Sequence, residues 1–250
     1  MGATKLASFP GEPPRPPPVD VQAQAALPAK QPTRSDSFDE AAAAPLALGA
    51  ATGAGSLDLA QLQKSVTSPP HGAATTSLLQ GFNGLLEVAK DVPEEQKLSR
   101  VNDFFNQRFR YVSDQEQFGA PDHWATPVEM MSRGAGDCED FAIAKYLTLR
   151  ALGVPESKLR MTHVKALVPG TSSPQAHMVL AYRATTQAEP LVLDNLTEQL
   201  LPLSRRRDLA AVYSFNTEGV WVGDTLSDAG PSRLSRWVDV LARARAEGFR

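Results

Sequence analysis

A single cysteine occurs among the 250 residues. No internal disulfide is possible, and the redox character of the compartment is left open. Basic charge is not in excess either: 25 Lys and Arg against 28 Asp and Glu give a net charge of −3. That balance does not suggest nucleic acid binding. No apolar run is long enough to span a membrane. The first residues lack the basic start and compact apolar core of an ordinary secretion signal. Aromatics are scarce at the start, with only Phe9 and Phe38 before residue 70, while Pro13, Pro14, Pro16, Pro17 and Pro18 cluster and residues 41–54 are nearly all small. Such composition cannot bury enough apolar surface to offset ordering entropy. Residues 1–56 are therefore expected to be a disordered Pro/Ala-rich leader, and residues 57–250 the folded domain.

The one thiol sits in the most informative stretch, Gly134-Ala135-Gly136-Asp137-Cys138-Glu139-Asp140-Phe141. Two glycines permit a tight turn. Asp137 is a good N-cap, Cys138 falls at the first helical position, and Asp140 can complete a capping arrangement. From Phe141 to Leu152 the chain is apolar nearly all round, broken mainly by Lys145, Thr148 and Arg150, which predicts a buried helix. Gly153 and Pro155 end it. A helix N-terminus favours the thiolate. Asp137, Glu139 and Asp140 oppose it with negative charge. Either these carboxylates only cap the helix, or a cation neutralises them.

Before this stretch, two helical patterns appear. Leu78, Leu79, Phe82, Leu85 and Leu86 form one; Leu98, Val101, Phe104, Phe105 and Phe109 form the other, opened by Pro93. They are expected to pair against the Cys138 helix. A polar loop from Ser113 to Asp122 follows, then a short helix capped by Thr126 with Pro127 next. Trp124 is expected to fill core more than to wall a site, and His123 is a weak candidate for chemistry. Beyond Gly153 the period changes to two. Strands are predicted over 159–167, 177–182, 191–195, 211–216 and 219–222, with a final amphipathic helix from Pro231. That helix covers the core or serves a partner. The run Arg205-Arg206-Arg207 reads as a solvated face, and His163 as structural.

A hairpin turning near 184–189 brings His177 and Asp194 to neighbouring positions on one face, where facing Cβ atoms lie roughly 5 Å apart. A slip of one residue offers Asn195 instead. Cys138, His177 and Asp194 then form a nucleophile, a base and an orienting carboxylate suited to acyl transfer. Peptide hydrolysis, amide exchange and acetyl transfer all fit that chemistry. The Cys138 amide is one oxyanion donor; a second has no obvious candidate.

Trp-Ala-Thr-Pro (124–127), Gly-Ala-Gly-Asp-Cys-Glu-Asp-Phe-Ala-Ile-Ala-Lys-Tyr (134–146), Leu-Gly-Val-Pro (152–155), Ala-His-Met-Val-Leu (176–180) and Val-Leu-Asp-Asn-Leu (192–196) together resemble the bacterial transglutaminase-like cysteine proteinases, and within them the LapG-type periplasmic proteases. The resemblance covers about residues 57–225. It implies an α+β, papain-like fold, with N-terminal helices and a central catalytic helix packed on an antiparallel β-sheet. It also implies a calcium-dependent endopeptidase that cuts large surface adhesins near their N-terminus and so releases biofilm cells. An inner-membrane c-di-GMP receptor of the LapD type would sequester it, and the location would be the periplasm. Family roles fall on Cys138, His177 and Asp194 as the triad, and on Asp137, Glu139 and Asp140 around Ca2+. The alternatives are another transglutaminase-like acyltransferase or amidase with the same triad, and a binding module that keeps the fold without catalysis.

Overall fold

The computed structural model describes residues 55–67, 73–120, 122–168 and 170–250. The expected leader lies outside these, except Gly55 and Ser56. Ser56 exchanges backbone hydrogen bonds with Arg250 (2.7 and 2.8 Å), and Leu57 bridges to Phe249.

Three helices come first: α1 (Leu59–Thr67), α2 (Ala73–Ala89) and α3 (Glu94–Arg108). Each buries one stripe: Leu62 and Val66, then Leu79, Phe82, Leu85 and Ala89, then Leu98, Val101, Phe104 and Phe105. This is the i, i+3, i+4 spacing of a helix with one apolar face. Pro93 is the N-cap of α3. A two-residue strand, β1 (Arg110–Tyr111), leads into α4 (Asp114–Phe118), inside the stretch expected as loop. Helix α5 (Pro127–Arg133) is closed by reciprocal bonds. Glu129 N–H donates to Thr126 Oγ1 (3.2 Å), and Thr126 N–H donates to Glu129 Oε2 (2.9 Å). It ends on Gly134 at φ 62°, a conformation that favours glycine.

Strand β2 (Ala135–Gly136) then pairs with β1 in parallel, Arg110 opposite Ala135 and Tyr111 opposite Gly136. The central helix α6 (Cys138–Ala151) follows at once, buried at every residue from Cys138 to Arg150, Lys145 and Thr148 included. A helix apolar all round belongs inside a core, and here it is wrapped by α3, α5 and the sheet.

The sheet has the order β6-β5-β4-β3-β7-β8-β9, antiparallel throughout. Its strands are β3 (Leu159–Ala166), β4 (Gln175–Tyr182), β5 (Leu191–Leu193), β6 (Leu201–Pro202), β7 (Leu209–Phe215), β8 (Val220–Val222) and β9 (Thr225–Leu226). Met161, Met178, Leu180 and Tyr182 belong to the main core with α6, while Val164, Val179 and Val192 form a small cluster with Leu203 and Leu209. Period two puts these sets on opposite faces. The last helix, α7 (Ser235–Ala246), buries Trp237, Val240, Leu241 and Ala244. Trp237 meets Tyr146 and Phe215 edge-on at 5.2 and 5.4 Å, so α7 covers the core. The expected α+β architecture is the one observed. No helix among the described residues is long and apolar enough to cross a membrane.

Candidate active site

Helices α3 and α6 run antiparallel, which fixes where each strand end lies. Lys97 Nζ donates to Leu152 O (2.7 Å) at the C-terminal end of α6. Lys145 Nζ donates to Asn102 Oδ1 (2.9 Å) at the middle. The β1–β2 pairing closes the ladder just before Cys138. One turn beyond Asn102, Asn106 Nδ2 donates to Asp194 O (2.7 Å) and Thr197 O (3.1 Å). At the other end, Tyr182 Oη donates to Glu94 Oε2 (2.5 Å). The His177 end of β4 therefore lies beside the Cys138 end of α6.

The β4–β5 register, with Leu180 opposite Leu193 and Ala181 opposite Val192, continues to place residue 179 opposite 194. His177 is then the diagonal neighbour of Asp194 on the same face, within reach of a long side chain. The bond is made: His177 Nε2 lies 2.8 Å from Asp194 Oδ1. Asn195 falls on the other face. His177 and Asp194 are 3% and 1% exposed. Burial by itself would raise the Asp194 carboxyl, but the His177 imidazole, and then the Arg206 guanidinium, hold it well below the usual carboxylate range. An ionised carboxylate only accepts, so Nε2 carries a proton, and a neutral ring in that tautomer offers Nδ1 as its acceptor.

Arg206 corrects the sequence reading. It is 5% exposed, not part of a solvated face; Arg205 and Arg207 on either side are exposed. Its Nη2 donates to Asp194 Oδ2 (2.7 Å) and to Asp208 Oδ2 (2.6 Å), and its Nε to Asp208 Oδ1 (3.0 Å).

Cys138 occupies the first turn of α6, as expected, with Asp137 at the N-cap. Its Sγ donates to Glu139 Oε2 (2.9 Å). The acidic cluster is larger than the sequence suggested. Carboxylate oxygens of Asp114, Asp137 and Asp140 lie within 4.8 Å of one another, and so do those of Asp114, Asp122 and Glu139. Asp114 and Asp122 escaped the sequence reading because the parallel β1–β2 pairing, which brings Asp114 alongside Asp137, has no sequence signature. Asp140 also acts as a strut. Ala125 N–H donates to its Oδ1 (2.7 Å) and Asp137 N–H to its Oδ2 (3.1 Å). A Cβ on Gly136 would stand 2.8 Å from Asp140 Cβ, so only glycine lets the strut close. The backbone N–H of His123 reaches Asp114 Oδ2 (2.5 Å).

Asp114, Asp137, Glu139 and Asp140 are all 3% exposed or less. Burial, and then the charges of Glu139 and Asp114, push the Asp140 carboxyl well above its usual range. A buried, all-oxygen, anionic donor set fits a hard divalent cation such as Ca2+. The remaining candidates are structural. His163 stacks on Tyr213 (5.2 Å). His123 packs against Phe118 (4.1 Å) and lies 3.4 Å from Glu129 Oε2. Trp124 stacks on Phe215 (6.0 Å) within the core.

A buried helix that opens on a thiol, packed on an antiparallel sheet that carries a histidine–carboxylate pair, is the arrangement expected of a transglutaminase-like cysteine protease. The family model described as bacterial transglutaminase-like cysteine proteinase matches residues 85–222, and the chain belongs to that family. Among solved structures, calcium-bound LapG of Legionella pneumophila is 40% identical, with 75% of this chain and 99% of that one covered and a TM-score of 0.64. The EGTA-treated form of the same protein gives 40% identity, 76% and 98% coverage and a TM-score of 0.65. No curated protein matches the chain.

Proposed function

We propose that this cysteine protease uses Cys138 as nucleophile, His177 as base and Asp194 as the carboxylate that orients the imidazole. The 2.8 Å His177–Asp194 bond, at the Cys138 end of α6, carries the assignment. His177 Nδ1 takes the thiol proton, and the thiolate attacks the peptide carbonyl carbon. The Cys138 backbone N–H, at the start of α6, receives the oxyanion. Collapse breaks the C–N bond, with His177 returning its proton to the departing amine. Water then hydrolyses the thioester, deprotonated by the same imidazole.

Asp114, Asp122, Asp137, Glu139 and Asp140 would hold Ca2+, which neutralises the charge crowded around the thiol. The calcium-bound and EGTA-treated LapG structures and the buried acidic cluster support that reading. The substrate class is the N-terminal region of a large surface adhesin, cut in the periplasm to disperse biofilm cells. A c-di-GMP receptor of the LapD type is the restraining partner. The likeness to LapG supports these last assignments.

The test is incubation of the purified protein with an adhesin N-terminal fragment, followed by mass spectrometry. One cut that vanishes in Cys138→Ala and with EGTA is expected. Cleavage surviving EGTA removes calcium from the account; cleavage surviving Cys138→Ala removes the triad. Transfer of the fragment to an added amine, in place of hydrolysis, would make the enzyme an acyltransferase.

A further inference from the structure

We propose that Arg206, braced by Asp208, is a positioning residue that locks the Asp194 carboxylate against His177 and sets the proton affinity of that imidazole. It rests on the triad reading above and adds a fourth and a fifth member. The geometry is a relay of alternating charge: imidazole, Asp194, Arg206, Asp208. Each Asp194 oxygen has a side-chain partner of its own, Oδ1 with His177 (2.8 Å) and Oδ2 with Arg206 (2.7 Å). The carboxylate therefore cannot turn without breaking a charge-assisted bond. Leu196 N–H adds a bond to Oδ1 (3.1 Å), and Asn106 holds the backbone carbonyl of Asp194. Arg206 is itself fixed by the two-point contact with Asp208, which reaches towards solvent with its side chain 39% exposed.

The second consequence is electrostatic. A carboxylate alone would stabilise an imidazolium and make His177 a strong base. A buried guanidinium on the opposite oxygen cancels part of that attraction. With only the carboxylate between the two groups, one unit charge at an effective dielectric near 20 moves the imidazole titration by about one to two pH units. Other charged groups on the packed elements are Lys145 on α6, which feels Asp194 and, on α3, Asp103, and Asp137, Glu139 and Asp140 at the start of α6. None of them changes in the variants below.

The experiment follows the His177 ring resonances by NMR against pH in a Cys138→Ser background, assigned with His177→Gln. Arg206→Gln is expected to move the titration of His177 upward by about one to two pH units. Asp208→Asn leaves the arginine charge less compensated, so it moves the titration downward by a smaller step. Arg206→Lys keeps the charge and stays near the parent value. A folded Arg206→Gln protein with an unmoved titration would overturn the proposal, and so would Arg206→Gln and Asp208→Asn shifting in the same direction. Should Arg206→Gln fail to fold, the downward step in Asp208→Asn still decides the matter. None of these readings uses activity, so they stand or fall separately from the triad, whose failure shows in Cys138→Ala cleavage.

Discussion

Replacing Lys145 with methionine should stabilise the protein below pH 7, and progressively less above it. The Lys145 side chain is fully buried in α6, over the Phe141 ring (5.8 Å), with Asn102 Oδ1 at 2.9 Å. Burial pulls its ammonium down from 10.5 to about 7, against the opposing pull of Asp194 and Asp103. Below pH 7 the charged form is carried in both folded and unfolded chains. The folded state then bears a desolvation penalty on the order of 4–5 kcal/mol, the energy equivalent of that displacement. Between pH 7 and 10.5 the unfolded chain binds the extra proton, so the wild type gains stability with rising pH, by up to about 1.4 kcal/mol per pH unit. Methionine has no such term. Its loss is the bond to Asn102, whose oxygen is left buried at a cost of about 1–3 kcal/mol. The net gain at pH 6 should be about 2–3 kcal/mol, falling to zero and reversing by pH 9. Urea unfolding of both proteins at pH 6, 7, 8 and 9, at one fixed calcium concentration, measures it. A difference that does not change between pH 7 and 9 would refute the reasoning, whatever its size.

Gly136→Ala should destabilise by about 1–3 kcal/mol, because the new Cβ meets Asp140 at 2.8 Å in a close-packed site; thermal unfolding reads this directly. Asp114→Asn should reduce calcium affinity roughly tenfold or more, as expected for losing a charged oxygen ligand, seen as a smaller calcium-dependent rise in Tm. Glu156→Ala should cost ~3–5 kcal/mol, since it removes a carboxylate paired with buried Arg150. The same carboxylate also receives Tyr146 Oη at 2.6 Å and Thr217 N–H at 2.7 Å. A cost under about 1 kcal/mol, the range of an exposed pair, would show that this hub is not held as described.

The central helix and the His177–Asp194 hairpin were legible because both are written in local signals. Gly-Asp-Cys sets a helix start, Gly153 its stop, and alternation over 177–182 and 191–194 fixes which side chains share a face. What escaped depends on long-range neighbours. A two-residue parallel bridge has no period, so nothing marked Asp114 as a neighbour of Asp137. Three consecutive arginines read as surface, yet Arg206 turns inward after the 3-10 turn at Leu203–Arg205. Its burial is rewarded by Asp194, twelve residues earlier, as well as by Asp208. The one local hint was Asp208, placed to brace it. Lys145 did carry a signal: a lysine within a helix apolar all round must find a partner inside, and Asn102 on α3 is that partner.

The start of α6 and the sheet carry two charge systems of opposite design. On the N-terminal side, buried carboxylates crowd the thiol, and Glu139 accepts its hydrogen at 2.9 Å; that contact favours the neutral thiol. On the sheet side, a buried carboxylate is shared between an imidazole and a buried arginine. The helix N-terminus contributes on the order of 1 kcal/mol towards a thiolate, against the acidic side chains beside it. A cation held by those acids would remove that opposition. The same acids that strut the turn at Gly136 and Ala125 would then decide when the nucleophile is armed. Regulation and architecture would meet in Asp140, which cannot be altered for one without disturbing the other.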